Sequence, residues 1–472
     1  MSDVKTRHPD YEIYRDQWRT MRDVLGGNDA IQAGGTTYLP KLTEQSEEAY
    51  DAYRERAVFY EATGRTRDGL VGMVFRKPPA IEPNGLDERA LNDIDQQGNS
   101  LQAVAKRVVE QVLSVGRHIL LVDFPTVQDT NLTVAQAERR GVRPTLQSYS
   151  TESLINWRVE VINGEEVPTL LVFEEAQQTA DASDEFRHKQ VKTWRVLRLT
   201  EGVYTSQLYI SEADKPPEPQ EVMTPRRNGQ PLNRIPVVFI NSEDNRHKPK
   251  RPPLKPLADL NISHYRTTAD LEHGAHFTGL PQPYATGVEL EGGALYIGSE
   301  KLLTATNADA RFGYMEFAGA GLSALETRLE KKEGQMAAIG ARMLAPEKSG
   351  VEAAETVAMR HSGESSVLSR IVTNAEEGMN TALDIMGSWG QFEAATIALN
   401  REFFASQLTP QEIEAIVGAW QSGAVSKQEM FRNLQQGAVI AEDKSFKDHE
   451  EELSEDAGLT SLVGDAPGAA AD

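Results

Sequence analysis

The sequence predicts an α+β fold, and three observations predict it. Apolar residues recur at helical spacing through residues 1–80, a block of short alternating segments fills Trp157 to Ile240, and helical spacing returns after Leu254. At 472 residues the chain exceeds what one simple core can organise, so two to four structural units are expected.

The elements follow in order. Glu47 to Tyr60 places Tyr50, Tyr53, Ala57 and Tyr60 three and four apart, the stripe of an amphipathic helix. The next segment, from Gly64, ends at Pro78-Pro79, a pair that stops any regular element before it. From Leu101 a helix carries Val104, Val108, Val109, Val112 and Leu113 on one face. It gives way at Gly116 to His118–Phe124, a buried strand by its length and β-branched content. Further strands are predicted at Trp157–Val161, Thr169–Phe173, Thr193–Leu199, Val203–Ile210 and Ile235–Ile240, with Asn163-Gly164 as the hairpin turn between the first two. The sheet should therefore be largely antiparallel.

Arg246 to Pro253 is basic and proline-rich, which reads as a linker. After it Leu254–Phe277 forms a helix with Leu257, Leu260, His264, Leu271 and Ala275 on roughly one side. A strand-and-turn insert rich in Gly and Pro runs from Gly279 to Ala318. A second helix, Leu322–Leu344, has two packable faces. Leu322, Leu325, Leu329, Met336, Ile339 and Met343 line one, and the small residues Gly334, Ala337, Ala338 and Ala341 line the other. Such a helix wants neighbours on both sides, whether in a bundle or in a ring of copies meeting head to tail.

Pro346–Gly350 breaks that helix, a long one follows over Val351–Trp389 with an interruption near Ser362-Gly363, and Ala395–Phe404 reads as a last strand. Two capped helices close the pattern. Thr409-Pro410-Gln411-Glu412 and Ser426-Lys427-Gln428-Glu429 both pair a hydroxyl cap with a glutamate three residues on, and Gly423 makes the turn between them. Beyond Glu442 the acidic, then Gly- and Ala-rich composition predicts disorder.

Composition excludes several classes of function. There is no cysteine, so disulfides, thiol nucleophiles and cysteine-bound metals are out. No apolar run reaches the ~18 residues that span a bilayer, and Met1–Arg7 leads into no signal-like stretch, so a soluble chain folding in a cytoplasm is expected. A net charge of −22 argues against tight binding to phosphates, which needs clustered Lys and Arg.

Motifs for chemistry are sparse. No glycine-rich phosphate loop, nucleophile elbow or HExxH is present. His273 and His276, beside Asp270 and Glu272, could offer two metal ligands on one helical face, but no third can be nominated, and a surface or subunit-contact pair is the simpler reading. Carboxylates abound without any pair standing out for acid–base work. No catalytic residue, metal or cofactor is assigned.

Four segments in order carry a resemblance. They are Gly35–Leu42 with Tyr50–Ala57; Arg65-Thr66 through Phe75-Arg76-Lys77-Pro78; Arg143-Pro144-Thr145 with Tyr149 and Ile155–Arg158; and Pro256–Tyr265 through Asp270-Leu271-Glu272 to Leu280–Pro283. Together, across residues 30 to 390, they resemble the portal family of tailed bacteriophages, in particular its branch of domain-of-unknown-function portal-like proteins. Each segment is weak alone; their order and spacing carry the likeness, and the C-terminal stretch carries less of it.

The resemblance implies a wing, stem, clip and crown. Residues 1–252 would form the α/β wing, 253–278 and 319–345 the two stem helices, and 279–318 a small β-containing clip. The tunnel loop would be 346–350, the long kinked wing helix and strand 351–405, the helical crown 406–457, and a disordered tail 458–472. It implies a homo-oligomeric ring, typically of twelve, at one capsid vertex of the virion, assembled in the host cytoplasm. Double-stranded DNA would pass through it, and the terminase motor, major capsid protein and head–tail adaptor would be its partners. Glu347, Lys348 and Ser349 would face the channel. Arg328, Lys331, Lys332 and Arg342, with Gly334, Ala337 and Ala341, would make subunit contacts or transient phosphate contacts. Twelve copies would carry −22 each, −264 in all, so a lining that lets a polyanion slide is compatible with the acidic balance. Two alternatives stay open: another head–tail connector or adaptor component, and a metal-dependent soluble enzyme around His273 and His276.

Overall fold

The computed structural model describes residues 3–123, 143–181, 184–211, 215–227, 229–279, 282–287, 307, 309–315, 320–344, 366–403, 410–436, 439–440, 444–450 and 452. It divides into two compact units, one of residues 1–350 and 364–400, the other of 351–363 and 401–472. Helices and antiparallel sheets both build the larger unit, so the α+β expectation holds.

The larger unit opens with helices. α1 (Pro9–Leu25) starts where Pro9 fits the first turn and the His8 ring accepts the Asp10 N–H, and it buries Trp18, Met21 and Val24 completely or nearly so. α2 (Gly27–Ala33), α3 (Glu47–Arg56), α4 (Ala62–Val74) and the short α5 (Glu88–Asn92) follow, with β1 (Ala80–Glu82) before α5. The helix expected to reach Tyr60 stops at Arg56. Ala57 turns extended (φ −70°, ψ 127°), so Ala57 and Phe59 are buried from outside the helix while Tyr60 stays partly exposed. Tyr50 and Tyr53 keep the inward stripe.

α6 (Leu101–Val115) is capped by the Ser100 hydroxyl and ends at Gly116, whose φ of 81° favours glycine. A β-carbon there would also lie 2.8 Å from the Lys250 carbonyl oxygen. The chain then enters β2 (Arg117–Asp123), the centre of a three-stranded antiparallel sheet between β11 (Val237–Asn241) and β3 (Thr145–Ser150). Both of its faces are covered, which explains the unbroken apolar run Ile119–Val122.

A separate five-stranded antiparallel meander joins β4 (Leu154–Ile162), β5 (Glu165–Asp181), β6 (Asp184–Thr200), β7 (Val203–Ser211) and β8 (Glu218–Met223) in sequence order. The Asn163-Gly164 turn has φ of 54° and 87°, as a two-residue hairpin of the predicted kind requires. Two strands run well beyond expectation. β5 and β6 have 17 residues each and continue past the predicted Phe173 and Thr193 through polar sequence. β9 (Arg226–Arg227) and β10 (Gln230–Pro231) form a small extra hairpin.

The expected linker Arg246–Pro253 is held in place. The Arg117 guanidinium donates to the His247 carbonyl, Asn241 Nδ2 donates to the Arg246 and Lys248 carbonyls, and Pro249 and Pro252 are buried. α7 (Lys255–Thr278) and α8 (Ala320–Arg342) match the two predicted helices within two residues, and between them β12 (Gln282–Thr286) pairs with β13 (Arg311–Met315). The expected helix Val351–Trp389 is seen as α9 (Val367–Gly390); residues 351–365 lie outside the described residues. α9 is capped by Ser366 and packs on the three-stranded sheet so closely that a β-carbon on Gly378 would fall 2.4 Å from Ile240. The last strand is shorter than expected: β14 (Thr396–Ala398) pairs with β1 through Ile81 opposite Ile397.

The smaller unit holds α10 (Pro410–Gln421) and α11 (Lys427–Gln436), turning at Gly423 with φ 78°. The predicted second capping box is present: the Glu429 N–H donates to Ser426 Oγ (3.1 Å) and the Ser426 N–H donates to Glu429 Oε2 (3.0 Å). Thr409 and the tail 458–472 lie outside the described residues.

Candidate functional site: the projecting helix pair

α7 and α8 run antiparallel: residues near 264 meet residues near 333, while Gly274 meets Leu322. At 1.5 Å per residue each helix is about 35 Å long. The two ends of α7 differ sharply. Its first half is buried on all but one face, with Leu257, Ala258, Asn261, Ile262, Tyr265 and Ala269 inside and Pro256, Asp259 and Arg266 exposed. Its last two turns emerge, leaving Ala275, His276 and Phe277 exposed; Ala275, expected on the inner face, faces solvent instead. The pattern was blurred because helix-facing and core-facing sides both carry small and polar residues.

Polar groups anchor the buried half. Asn261 is fully buried, and its Oδ1 accepts from the Thr63 amide (3.1 Å) and hydroxyl (3.0 Å) while its Nδ2 donates to the Tyr60 carbonyl (2.5 Å). Burial, and then the hydrogen bond that the Tyr53 hydroxyl donates to Asp270 Oδ1 (2.6 Å), raise the pKa of this buried phenol. Arg266 donates to the Tyr38 carbonyl (2.7 Å). Thus α3, α4 and the turn before Tyr38 all grip α7. Tyr53 and Asp270 were named in the sequence for a helical stripe and as neighbours of His273 and His276, and Asn261 and Arg266 were given no role; an Asn and an Arg within an apolar helical stripe were the available signal.

The two helices are registered by polar contacts. His264 is buried, with Nε2 3.2 Å from Glu333 Oε1 and Nδ1 3.3 Å from Thr268 Oγ1. Burial lowers its pKa, against the opposing pull of Glu333. Lys332 Nζ donates to the Ser263 carbonyl (2.7 Å) and Thr267 Oγ1 (2.6 Å), and burial lowers its pKa as well. Of the four basic residues expected to meet phosphates or a neighbour, Lys332 therefore points into its own helix pair. Arg328, Lys331 and Arg342 are exposed.

α8 lies on α7 through a single stripe. Met336 and Met343 are buried and Leu322, Leu325, Leu329 and Ile339 are half-buried, as expected. Gly334, Ala337, Ala338 and Ala341 are exposed, and a β-carbon added to Gly334 would meet nothing within 4 Å. The small-residue face thus has no cover within the described residues. At the far end of the pair the β12–β13 hairpin exposes Tyr284 and Phe312, and the end of α7 exposes Phe277. Glu347, Lys348 and Ser349 lie outside the described residues.

His273 and His276 do not assemble a metal centre. His273 packs edge-on against Tyr53 (5.1 Å) and Phe277 (4.7 Å), and among the described residues no three His, Cys, Asp or Glu side chains converge. No described helix is long and apolar enough to cross a membrane.

Residues 253–390, the stretch from the start of α7 to the end of α9, match a family model described as a domain of unknown function, DUF4055. No curated protein matches the chain. Solved structures similar to it include a chain from the neck of an empty gene transfer agent particle computed with C6 symmetry. That alignment has 11% identity and a TM-score of 0.39, covering 78% of this chain and 88% of that one. Another is a chain from the virion of a native gene transfer agent particle, with 11% identity and a TM-score of 0.39, covering 88% of this chain and 99% of the other. A third is a chain from the neck of the native particle computed with C12 symmetry, with 10% identity and a TM-score of 0.38, covering 79% and 89%.

Proposed function

We propose that this chain is the subunit of a portal-type ring that conducts double-stranded DNA at a capsid vertex and joins head to tail. The observation that carries the reading is the α7–α8 pair. It is anchored at one end by buried polar contacts, is closed at the other by a β-hairpin, and has an uncovered strip of small residues along α8. A lone antiparallel pair buries one stripe per helix and leaves the remaining faces wet. Copies set side by side would cover those faces, and small residues let helix backbones approach closely. Head-to-tail contacts of that kind close into rings when the rotation between copies closes.

In this reading α1–α6 and the two sheets form the wing, α7 and α8 the stem, β12–β13 part of the clip, and α9 the wing helix. α10 and α11 form the crown. Glu347, Lys348 and Ser349 would face the channel, where sparse positive charge keeps phosphate contacts weak and DNA mobile. Arg328, Lys331 and Arg342, exposed along α8, would pair with a neighbour's carboxylates such as Glu326 or Glu330 or touch phosphate in passing. The role is structural and not catalytic, and the chain would act in the virion with a terminase, capsid protein and adaptor. Twelve copies are proposed per ring. Electron micrographs of the purified protein test this: top views should show a ring with a central hole, and particles without a hole at all protein concentrations would defeat it.

A further inference from the structure

The β5–β6 hairpin outruns its own sheet. β4 pairs with β5 only as far as Phe173, and β7 pairs with β6 only up to Lys192. From Gln177 to Asp181 and from Asp184 to Val191 the two strands pair only with each other among the described residues, an arm of roughly 20 Å at about 3.3 Å per residue. A two-stranded ribbon, its outer edges unpaired among the described residues, is at best marginally stable in water and offers backbone to a partner. Near its tip Phe186 is 84% exposed, the most exposed large apolar side chain described, and Arg187, His188 and Lys189 follow it in exposed positions.

The opposite end of the same sheet carries a complementary feature. A groove of about 860 Å³ opens between the turns of the meander and α9. Leu199, Ile235 and Trp389 contribute to its apolar floor, and Glu160, Glu165, Glu166 and Glu201 stand along its rim. Two cations, Arg227, which donates to Ser388 Oγ (2.7 Å), and Arg234, also line it, so the four carboxylates outnumber them two to one. The groove and the arm tip sit at opposite ends of the 17-residue strand β6, about 55 Å apart along it, so one chain cannot fill its own groove.

We propose that the arm is an assembly element: in the ring, the β5–β6 arm of one copy enters the acidic groove of the next copy of this chain. Phe186 covers the apolar floor, and Arg187 meets the glutamate rim. The contact joins different surfaces on the two copies, so it repeats head to tail. It rests on the ring reading for the geometry that brings the arm to a neighbour.

The absence of cysteine makes the test clean. The full chain carrying Arg187→Cys and Glu201→Cys together should give, on mild oxidation, a ladder of covalent multimers, and neither single variant should. Phe186→Ala should raise the concentration at which particles dissociate about tenfold, the loss typical of a central aromatic contact. Arg187→Glu should weaken assembly too, and Glu201→Arg added in the same chain should restore it. Rings of full mass without a ladder would overturn this contact while leaving the ring reading standing. Dimers from Arg187→Cys alone would overturn it in favour of arm-to-arm pairing. Monomers at every concentration, with no ladder, would overturn both.

Discussion

Asn261 is where the projecting helix is tied to the core, and Asn261→Leu tests that tie. Leucine fills a similar volume, so the change removes polar bonds with little change in packing. Three partners lose their bonds: the fully buried Thr63 amide and hydroxyl, and the part-buried Tyr60 carbonyl. Each unsatisfied buried group costs about 1–3 kcal/mol. The Thr63 hydroxyl can turn elsewhere, so the sum should fall short of three full penalties, at about 3–5 kcal/mol, in the range kept for broken buried networks. Urea unfolding followed by tryptophan fluorescence measures it. Trp420 lies in the smaller unit, so a Trp420→Phe background confines the signal to the larger one. The midpoint should drop with an unchanged slope. Arg15→Ala, which removes only exposed pairs with Glu12 and Asp16 on α1, should cost under about 0.5 kcal/mol. A loss below about 1 kcal/mol for Asn261→Leu would refute the idea that this residue anchors the helix.

His118 sits wholly buried in the central strand, its Nε2 2.9 Å from Ser148 Oγ, and burial lowers its pKa to about 3. Below pH 6.5 the unfolded ring takes a proton that the folded one refuses. Stability should therefore fall as pH drops from about 6.5 toward 3, at up to about 1.4 kcal/mol per pH unit from this group, and His118→Gln should flatten that slope in acid titrations followed by circular dichroism. Ala337→Phe or Ala341→Phe adds bulk to an exposed face, so monomer stability should change by less than about 0.5 kcal/mol while assembly, read by native mass, should be lost. Equal loss of folding and assembly would remove that face from the interface.

Much of the fold was legible where burial imposes a simple period. The Val-rich face of α6, the two helices α7 and α8, the Asn163-Gly164 turn and the Ser426–Glu429 cap all depend on local chemistry that a short window contains. The failures share a cause. The outer halves of β5 and β6 are held by pairing with each other, and no apolar alternation announces a ribbon that is wet on both faces. The Arg246–Pro253 stretch looked like a linker because its contacts are backbone carbonyls taken by the distant Arg117 and by Asn241 at the end of the preceding strand, which composition cannot reveal. The candidate site divided the same way. The small-residue face of α8 was visible as a pattern, yet Lys332 was grouped with its basic neighbours because spacing does not say that its ammonium turns inward to Ser263 and Thr267.

The most direct test of the ring reading is the native mass of the assembled protein. A subunit of 52.1 kDa should give a particle at an integer multiple of that mass, about 625 kDa for the proposed twelve copies, and the population should collapse to monomer in Ala337→Phe. A species that stays at 52.1 kDa across concentration and salt, or a dimer that grows no further, would contradict it.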